Sequence, residues 1–423
     1  MDDSIDSRFE LETEEPKIIK VIGVGGGGGN AVTHMYKKGI HDVSFLLCNT
    51  DKQAMKHSEV PNKFVLGEAI THGLGAGAKP EVGCQAAEAS EEDIQRLLDD
   101  GTEMVFITAG MGGGTGTGAA PVIARIAKQM DILTVGIVTI PFRFEGGRKI
   151  YKALMGVEEM SKNVDALLVI NNEKLREIYP DLELMDGFAK ADDTLAVAAK
   201  SIAEIITLPG IINTDFADVK TTLKDGGVAL ISNGYGEGER RMLNAFEDAM
   251  LSPLLNNNDI FTAKKILFNI SFSENSKLKL DELESVDNFM ANFDPDVIDV
   301  IYGTSLDNSL ADKIKVTILA SGFGVKNVVE EKDRIDAERM KEKIEQYYNM
   351  KSNFPGNKSE CVIFGAEELD DDHLINLLED VPAYERKNLK DIREYRNKRA
   401  ATSVPGKASA AANGPVSEQV ISF

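Results

Sequence analysis

The chain has 423 residues, with 69 acidic against 47 basic side chains and a formal charge of -22; that sign disfavours nucleic acid and anionic membranes as non-specific partners. Cys48, Cys84 and Cys361 are too few and too scattered for a disulfide framework or a paired-cysteine metal site, which fits a reducing cytoplasm, and the histidines lack the HExxH spacing of a zinc site. No apolar run reaches the length of a bilayer span, and the chain is long enough for two domains with tails.

In chain order, residues 1–16 are acidic and too polar to repay their ordering entropy, so they read as a disordered leader without the features of a signal peptide. Residues 17–192 read as one α/β domain. Apolar runs at 17–24, 43–48, 63–66, 104–109, 133–140 and 166–170 alternate with helical patterns at 31–38, 80–99 and 119–130. Runs that are apolar throughout, rather than at every second residue, predict parallel strands covered on both faces. The segment 193–209 predicts a central helix over 193–207, Ala-rich and apolar nearly all round, stopped by Pro209-Gly210 and buried between domains.

Residues 210–324 read as a second, α+β domain, with strands at 227–232, 265–273, 297–302 and 314–320 and helices at 238–252 and 279–292. A variable linker follows over 325–380, including a charge-laced helical pattern at 330–348. A short motif occupies 381–390, and 391–423 is a basic stretch that runs into an Ala/Ser/Gly/Pro-rich disordered end.

Two glycine-rich stretches, 25–30 and 110–118, each follow a predicted strand and lead into a predicted helix. Such a junction offers free backbone N–H groups to an anion, and glycine lets the backbone approach phosphate oxygens without a Cβ in the way. Two cradles in one domain predict a polyphosphate gripped from two sides. Gly23 to Gly28 also satisfy the GxGxxG fingerprint, with Asp51 at ribose-binding distance, so an NAD(P)-dependent oxidoreductase is a competing reading. That enzyme has no use for a second polyglycine cradle. No GxxxxGK[ST] appears, so a triphosphate has to be held by amides, the Thr115 and Thr117 hydroxyls, helix N-termini and a metal ion, for which no protein ligand set is assigned.

The run GGGTGTG at 112–118 matches the tubulin signature. Together with GGGGGNAV and NTDFADV it resembles the FtsZ family of bacterial cell-division GTPases, nearly continuously over residues 17–324. The resemblance implies a Rossmann-like GTP-binding domain, a central helix and a C-terminal α+β domain. It implies that Gly26, Gly27, Gly28, Gly29 and Asn30 form the first loop on the nucleotide, with Asn49 and Asp51 in the next. Gly75, Ala76, Gly77 and Ala78 lie by the γ-phosphate, and Gly112, Gly113, Gly114, Thr115, Gly116, Thr117 and Gly118 cradle the phosphates. Glu145 approaches the ribose, and either Arg148 or Lys149 contacts the nucleotide. Asn30, Asn172 and Asp192 read the guanine edge, Asp192 being preferred to Asp193, and Phe188 stacks on the base. The cofactors implied are GTP/GDP and Mg2+, with K+ as a further candidate.

Hydrolysis also needs a positioned water. Asn213, Asp215 and Asp218 supply the conspicuous acidic loop, although Asp215 reads equally as the N-cap of a helix over 216–224. A loop beyond a helix of this length lies about 20 Å from the helix start, out of reach of the nucleotide in the same chain, so it completes only a neighbour's site. The resemblance implies the same arrangement, in which Asp215 and Asp218 act in trans with Asn213 beside the γ-phosphate. An interface of that kind is heterologous and builds an open filament, here the division ring at the mid-cell septum in the cytoplasm. A GTP-binding filament protein without turnover is the third reading, and the retained acidic loop speaks against it. The segment from Val381 to Lys387, VPAYERK, resembles the tail peptide by which the family docks on the membrane tethers FtsA or ZipA, with Glu385 departing from the usual apolar residue.

Overall fold

The computed structural model describes residues 9–10, 17–40, 42–250, 260–293, 299–323 and 347. The tail motif at 381–387, the linker apart from Tyr347, and the end of the chain lie outside the described residues.

The first half runs β1 (Phe9–Glu10), β2 (Ile19–Val24), α1 (Gly25–Lys38), β3 (Val43–Asn49), α2 (Lys52–Lys56), β4 (Asn62–Val65), α3 (Glu68–Thr71), α4 (Pro80–Glu88) and α5 (Glu91–Leu98). It continues with β5 (Met104–Gly110), α6 (Thr115–Gln129), β6 (Leu133–Ile140), α7 (Gly147–Asn163), β7 (Ala166–Asn171) and α8 (Asn172–Ile178). Strands β4-β3-β2-β5-β6-β7 pair in parallel, in that order. Every residue of β2 is buried, as the continuous apolar runs predict for strands covered on both faces.

The second half begins with α9 (Leu184–Thr207), α10 (Phe216–Leu223), β8 (Gly227–Gly236) and α11 (Arg241–Met250), followed by β9 (Lys265–Phe272), α12 (Glu284–Met290), β10 (Asp299–Leu306) and β11 (Ile314–Ser321). Its strand order is β8-β11-β9-β10, with β11 antiparallel to both neighbours. Only two residue pairs, Ala166 with Gly227 and Leu167 with Val228, join β7 to β8 and make the two sheets continuous.

Four local expectations are corrected. Phe9–Glu10 of the acidic leader pair antiparallel with Lys63 and Phe64, because β4 is otherwise a sheet edge with unpaired backbone groups. The first glycine run is not a turn before a helix at 31; helix α1 starts at Gly25, and Gly27 packs against the backbone of Gly110. The 80–99 segment is two helices that meet at Ser90, whose backbone (φ -109, ψ 15) departs from the helical region and whose hydroxyl accepts the Gly67 N–H at 2.9 Å. The central helix starts at Leu184, nine residues before the expected 193.

That helix is the spine. Leu195, Ala198, Ala199, Ile202, Ala203 and Ile205 are buried in one apolar cluster that takes in Val21, Phe106 and Ile137 of the first sheet and Ile231, Leu267 and Leu319 of the second. Small alanines let the helix lie close to both sheets, and Ile202, with no exposed surface, fills the junction. Ile202→Ala is expected to cost about 2–5 kcal/mol and to lower both halves together in one denaturant transition. Two separate transitions, or an unchanged midpoint, would show that α9 does not join the halves.

Candidate functional site

The carboxyl ends of the parallel strands open on one side of the first sheet, where α/β folds commonly bind ligands. Helix α1 leaves β2 directly and α6 follows β5 after a short glycine turn. Neither helix has a side-chain cap or a carboxylate in its first turn. Their leading N–H groups therefore lack acceptors, and their dipoles favour an anion in front of them.

The glycines divide into two sets. A Cβ on Gly28 would sit 2.2 Å from the Thr108 carbonyl oxygen, and one on Gly118 would sit 1.9 Å from that of Pro80. These positions serve backbone-to-backbone packing beneath the cradles. Gly26, Gly29 and Gly113, in contrast, have no protein atom within 4 Å of a Cβ position. Their open side is the clearance a phosphate needs.

The threonine hydroxyls also have partners within the protein. Thr117 Oγ1 accepts the Gly112 N–H at 2.8 Å and closes the second cradle on itself, while Thr115 Oγ1 lies 2.6 Å from Thr50 Oγ1. Both are buried and act first as braces of the loop.

A cleft of about 540 Å³ brings together Gly26, Gly27, Asn30, Gly113, Glu145, Lys149, Asn172, Phe188 and Asp192. Gly110, Met111, Thr139, Pro141, Met185 and Ala191 complete its wall; Gly110 and Met111 belong to the second glycine stretch and Pro141 to the run before Glu145, whereas Thr139, Met185 and Ala191 carry no motif that singles them out in the sequence. A neighbouring hollow of about 320 Å³ shares Gly26, Asn30 and Asp192 and adds Gly29 and Asn49. The remaining expected residues stand behind these walls. Asp51 caps α2, accepting the Gln53 and Ala54 N–H groups. Gly75 donates its N–H to Thr50, Ala76 and Ala78 lie close to Gly114, and Gly77 stays in the same turn with φ 58. Gly112, Gly114 and Gly116 form the body of the second cradle.

The members of two residue pairs left open by the sequence face different ways. Lys149 lines the cleft and ion-pairs with Glu145, whereas Arg148 is exposed and absent from the cleft wall. Asp192 faces the cleft, whereas Asp193 turns to Lys38, His34 and Lys190 and ties α9 to α1.

The far wall combines an aromatic ring with buried polar groups. Phe188 meets Phe142 edge to face at 5.3 Å. Asn172 Oδ1 is buried without a hydrogen-bond partner among the described residues, an arrangement that a ligand donor relieves. Burial pushes the Asp192 carboxyl up to about 7. The sequence reading missed Glu173, whose buried carboxylate accepts the Arg143 N–H at 3.0 Å and Arg176 Nε at 2.8 Å, and so fixes the Pro141 to Glu145 turn over the cleft. An acid in the first turn after Asn171-Asn172 was the available signal.

Asn213, Asp215 and Asp218 are elsewhere. Asp192 and Thr207 are separated by about 22 Å along α9 at its regular rise, and the acidic loop lies beyond Thr207. There Asp215 caps α10. Its Oδ1 accepts the Asp218 N–H at 3.1 Å, and Asp218 Oδ2 accepts the Asp215 N–H at 3.0 Å. Each carboxylate keeps its second oxygen for another partner. Asn213 Oδ1 accepts the Gly210 N–H at 2.9 Å.

The family model described as Tubulin/FtsZ family, GTPase domain, matches residues 18–180, and that described as FtsZ family, C-terminal domain, matches residues 227–324. The chain is 55% identical over 397 residues to the cell division protein FtsZ of Porphyromonas gingivalis, covering 88% of this chain and 86% of that one. The empty FtsZ dimer of M. jannaschii superposes with TM-score 0.67 at 39% identity, over 75% of this chain and 90% of that chain. CetZ2 from Haloferax volcanii, solved as a GTPγS-bound protofilament, shares the fold with TM-score 0.63 at 21% identity, over 78% of this chain and 98% of that chain.

Asp192 makes the ligand-free protein sensitive to pH. Its folded value of about 7 lies above the unfolded carboxylate value of about 3.9. The folded chain therefore holds a proton that the unfolded chain has lost, and stability falls as pH rises through that window. Without nucleotide, Asp192→Asn is expected to melt above the parent at pH 8, with the gap narrowing as the pH falls from 7 toward 4. A gap that stays constant with pH would contradict this.

Proposed function

The chain belongs to the FtsZ family of tubulin-like GTPases, and on that premise we propose how its own residues carry out GTP turnover within a head-to-tail filament. The phosphates lie against the free N–H groups at the starts of α1 and α6, over the open sides of Gly26 and Gly113. These dipoles are fixed before the reaction and stabilise the charge that develops on the phosphoryl oxygens. The guanine base stacks on Phe188. Its adjacent N–H donors meet the Asp192 carboxylate, and Asn172 Oδ1 gains the donor it lacks. Lys149, released from Glu145, is the side chain on this wall that carries positive charge to the nucleotide, and Glu145 is left for the ribose.

The nucleophile is positioned by a second copy. The observation that carries this reading is the placement of an exposed acidic loop beyond the end of α9, with the cleft that holds Asp192 near its start. Stacked on a neighbour, the oxygens of Asp215 and Asp218 not used in capping α10 orient the attacking water. Asn213 stands beside the γ-phosphate. Capping and catalysis are compatible because each carboxylate spends only one oxygen on a backbone N–H.

Among the described residues no group of three His, Cys, Asp or Glu side chains is arranged for a metal ion. Mg2+ enters with the substrate as a counter-ion on its phosphates, with K+ a second candidate for the same duty. Turnover weakens the filament, since the nucleotide is part of the contact between copies. The filament forms the cytoplasmic mid-cell ring, tethered to FtsA or ZipA through Val381 to Lys387. The dinucleotide reading of Gly23 to Gly28 is set aside, because that loop packs against a second cradle in a GTPase family.

Asparagine caps a helix about as well as aspartate, which separates the two duties of the acidic pair. Asp215→Asn and Asp218→Asn are expected to keep helix content, GTP affinity and assembly while phosphate release falls by roughly 100-fold or more. Ordinary phosphate release from assembled Asp215→Asn chains would refute the assignment.

A further inference from the structure

Strand β10 is the last strand of the second sheet, so one of its edges has no strand partner among the described residues. Its residues alternate in the side to which they offer N–H groups, and Thr304 and Leu306 offer theirs to that free edge. The segment between α9 and α10 takes both. Thr304 N–H donates to the Ile212 carbonyl and Leu306 N–H to the Pro209 carbonyl, each at 2.9 Å.

The Thr304 side chain adds a second grip. Its buried hydroxyl oxygen accepts the Ile211 N–H at 3.2 Å and the Ile212 N–H at 2.9 Å, using both lone pairs on two consecutive amides. Space at the contact is exact to within an atom. A Cβ on Gly303 would lie 2.0 Å from Thr214 Oγ1, and one on Gly210 would lie 1.6 Å from the Thr304 carbonyl oxygen.

We infer that Thr304 is a positioning residue for hydrolysis: its hydroxyl fixes Ile211 and Ile212, and through them the placement of Asn213, Asp215 and Asp218 in a neighbour's cleft. The inference rests on the in-trans reading above. It gives the second sheet a specific part in the reaction, as the template on which the acidic loop is held. The loop is exposed around Ile211, so water can replace a lost bond there, and removal of the hydroxyl loosens the loop instead of unfolding the domain.

The test compares Thr304→Val, which keeps the shape and removes the acceptor, with Thr304→Ser, which keeps the acceptor. For Thr304→Val, KM for GTP and assembly are expected to stay at parental values while kcat falls on the order of 10- to 100-fold; Thr304→Ser should restore most of it. An equimolar mixture of Thr304→Val with Asp192→Ala should exceed the sum of the two alone, because the first supplies a sound cleft and the second a sound loop. Parental kcat in Thr304→Val, or a mixture no better than the sum, overturns the inference. Asp215→Asn measured in parallel keeps the two readings apart. If it too turns over normally, the in-trans reading fails; if it is inactive while Thr304→Val is not, only the role of Thr304 fails.

Discussion

A stiff, buried helix sets the distance between the two halves of the chemistry. Helix α9 carries Asp192 in the cleft near its start and delivers the acidic loop at its end, and its middle is locked into a core shared by both sheets. Such a helix has one length, about 1.5 Å per residue. The cleft and the loop therefore lie too far apart to meet within a chain, and the head-to-tail stacking proposed above brings them together between chains.

The rest of the molecule keeps each half ready. On the cleft side, backbone packs on backbone at Gly28 and Gly118, the Thr115 and Thr117 hydroxyls brace the loops, and Glu173 holds the turn that carries Glu145. The cleft wall then presents two helix starts without side-chain caps, the Glu145–Lys149 pair, the Phe188 ring, Asn172, whose buried Oδ1 has no partner among the described residues, and the Asp192 carboxyl, which burial makes easily protonated. On the loop side, a capping box orders Asp215 and Asp218, and a sheet edge orders the residues before them. Neither half needs to reorganise far when two chains meet, which is where preorganised dipoles gain over water.

Much of this was legible in the amino-acid order. Met104 to Ala109 and Leu133 to Ile140 are apolar enough to announce central parallel strands, and the glycine runs announced two anion cradles. The boundaries were less legible where tertiary packing overrides local preference. Glycine is a poor helix former, so the start of α1 reads as a turn, yet contact with the backbone around Gly110 is possible only for glycines already in the helix. Gly187 and the acids around it break the apolar pattern that marks the rest of α9, which hides its first turns. Which of Asp192 and Asp193 faces the cleft, and which of Arg148 and Lys149, depends on helix phase relative to neighbours that the sequence does not number. The grip of Thr304 on a loop more than ninety residues earlier in the chain leaves no local pattern at all.

The division of one active centre between two chains is tested most directly by phosphate release per chain as a function of protein concentration, at saturating GTP and Mg2+. A split centre predicts negligible release while chains are solitary and a steep rise at the concentration where light scattering reports assembly. Release per chain that is already at its full value in dilute, unassembled protein, and stays flat as filaments form, would contradict it.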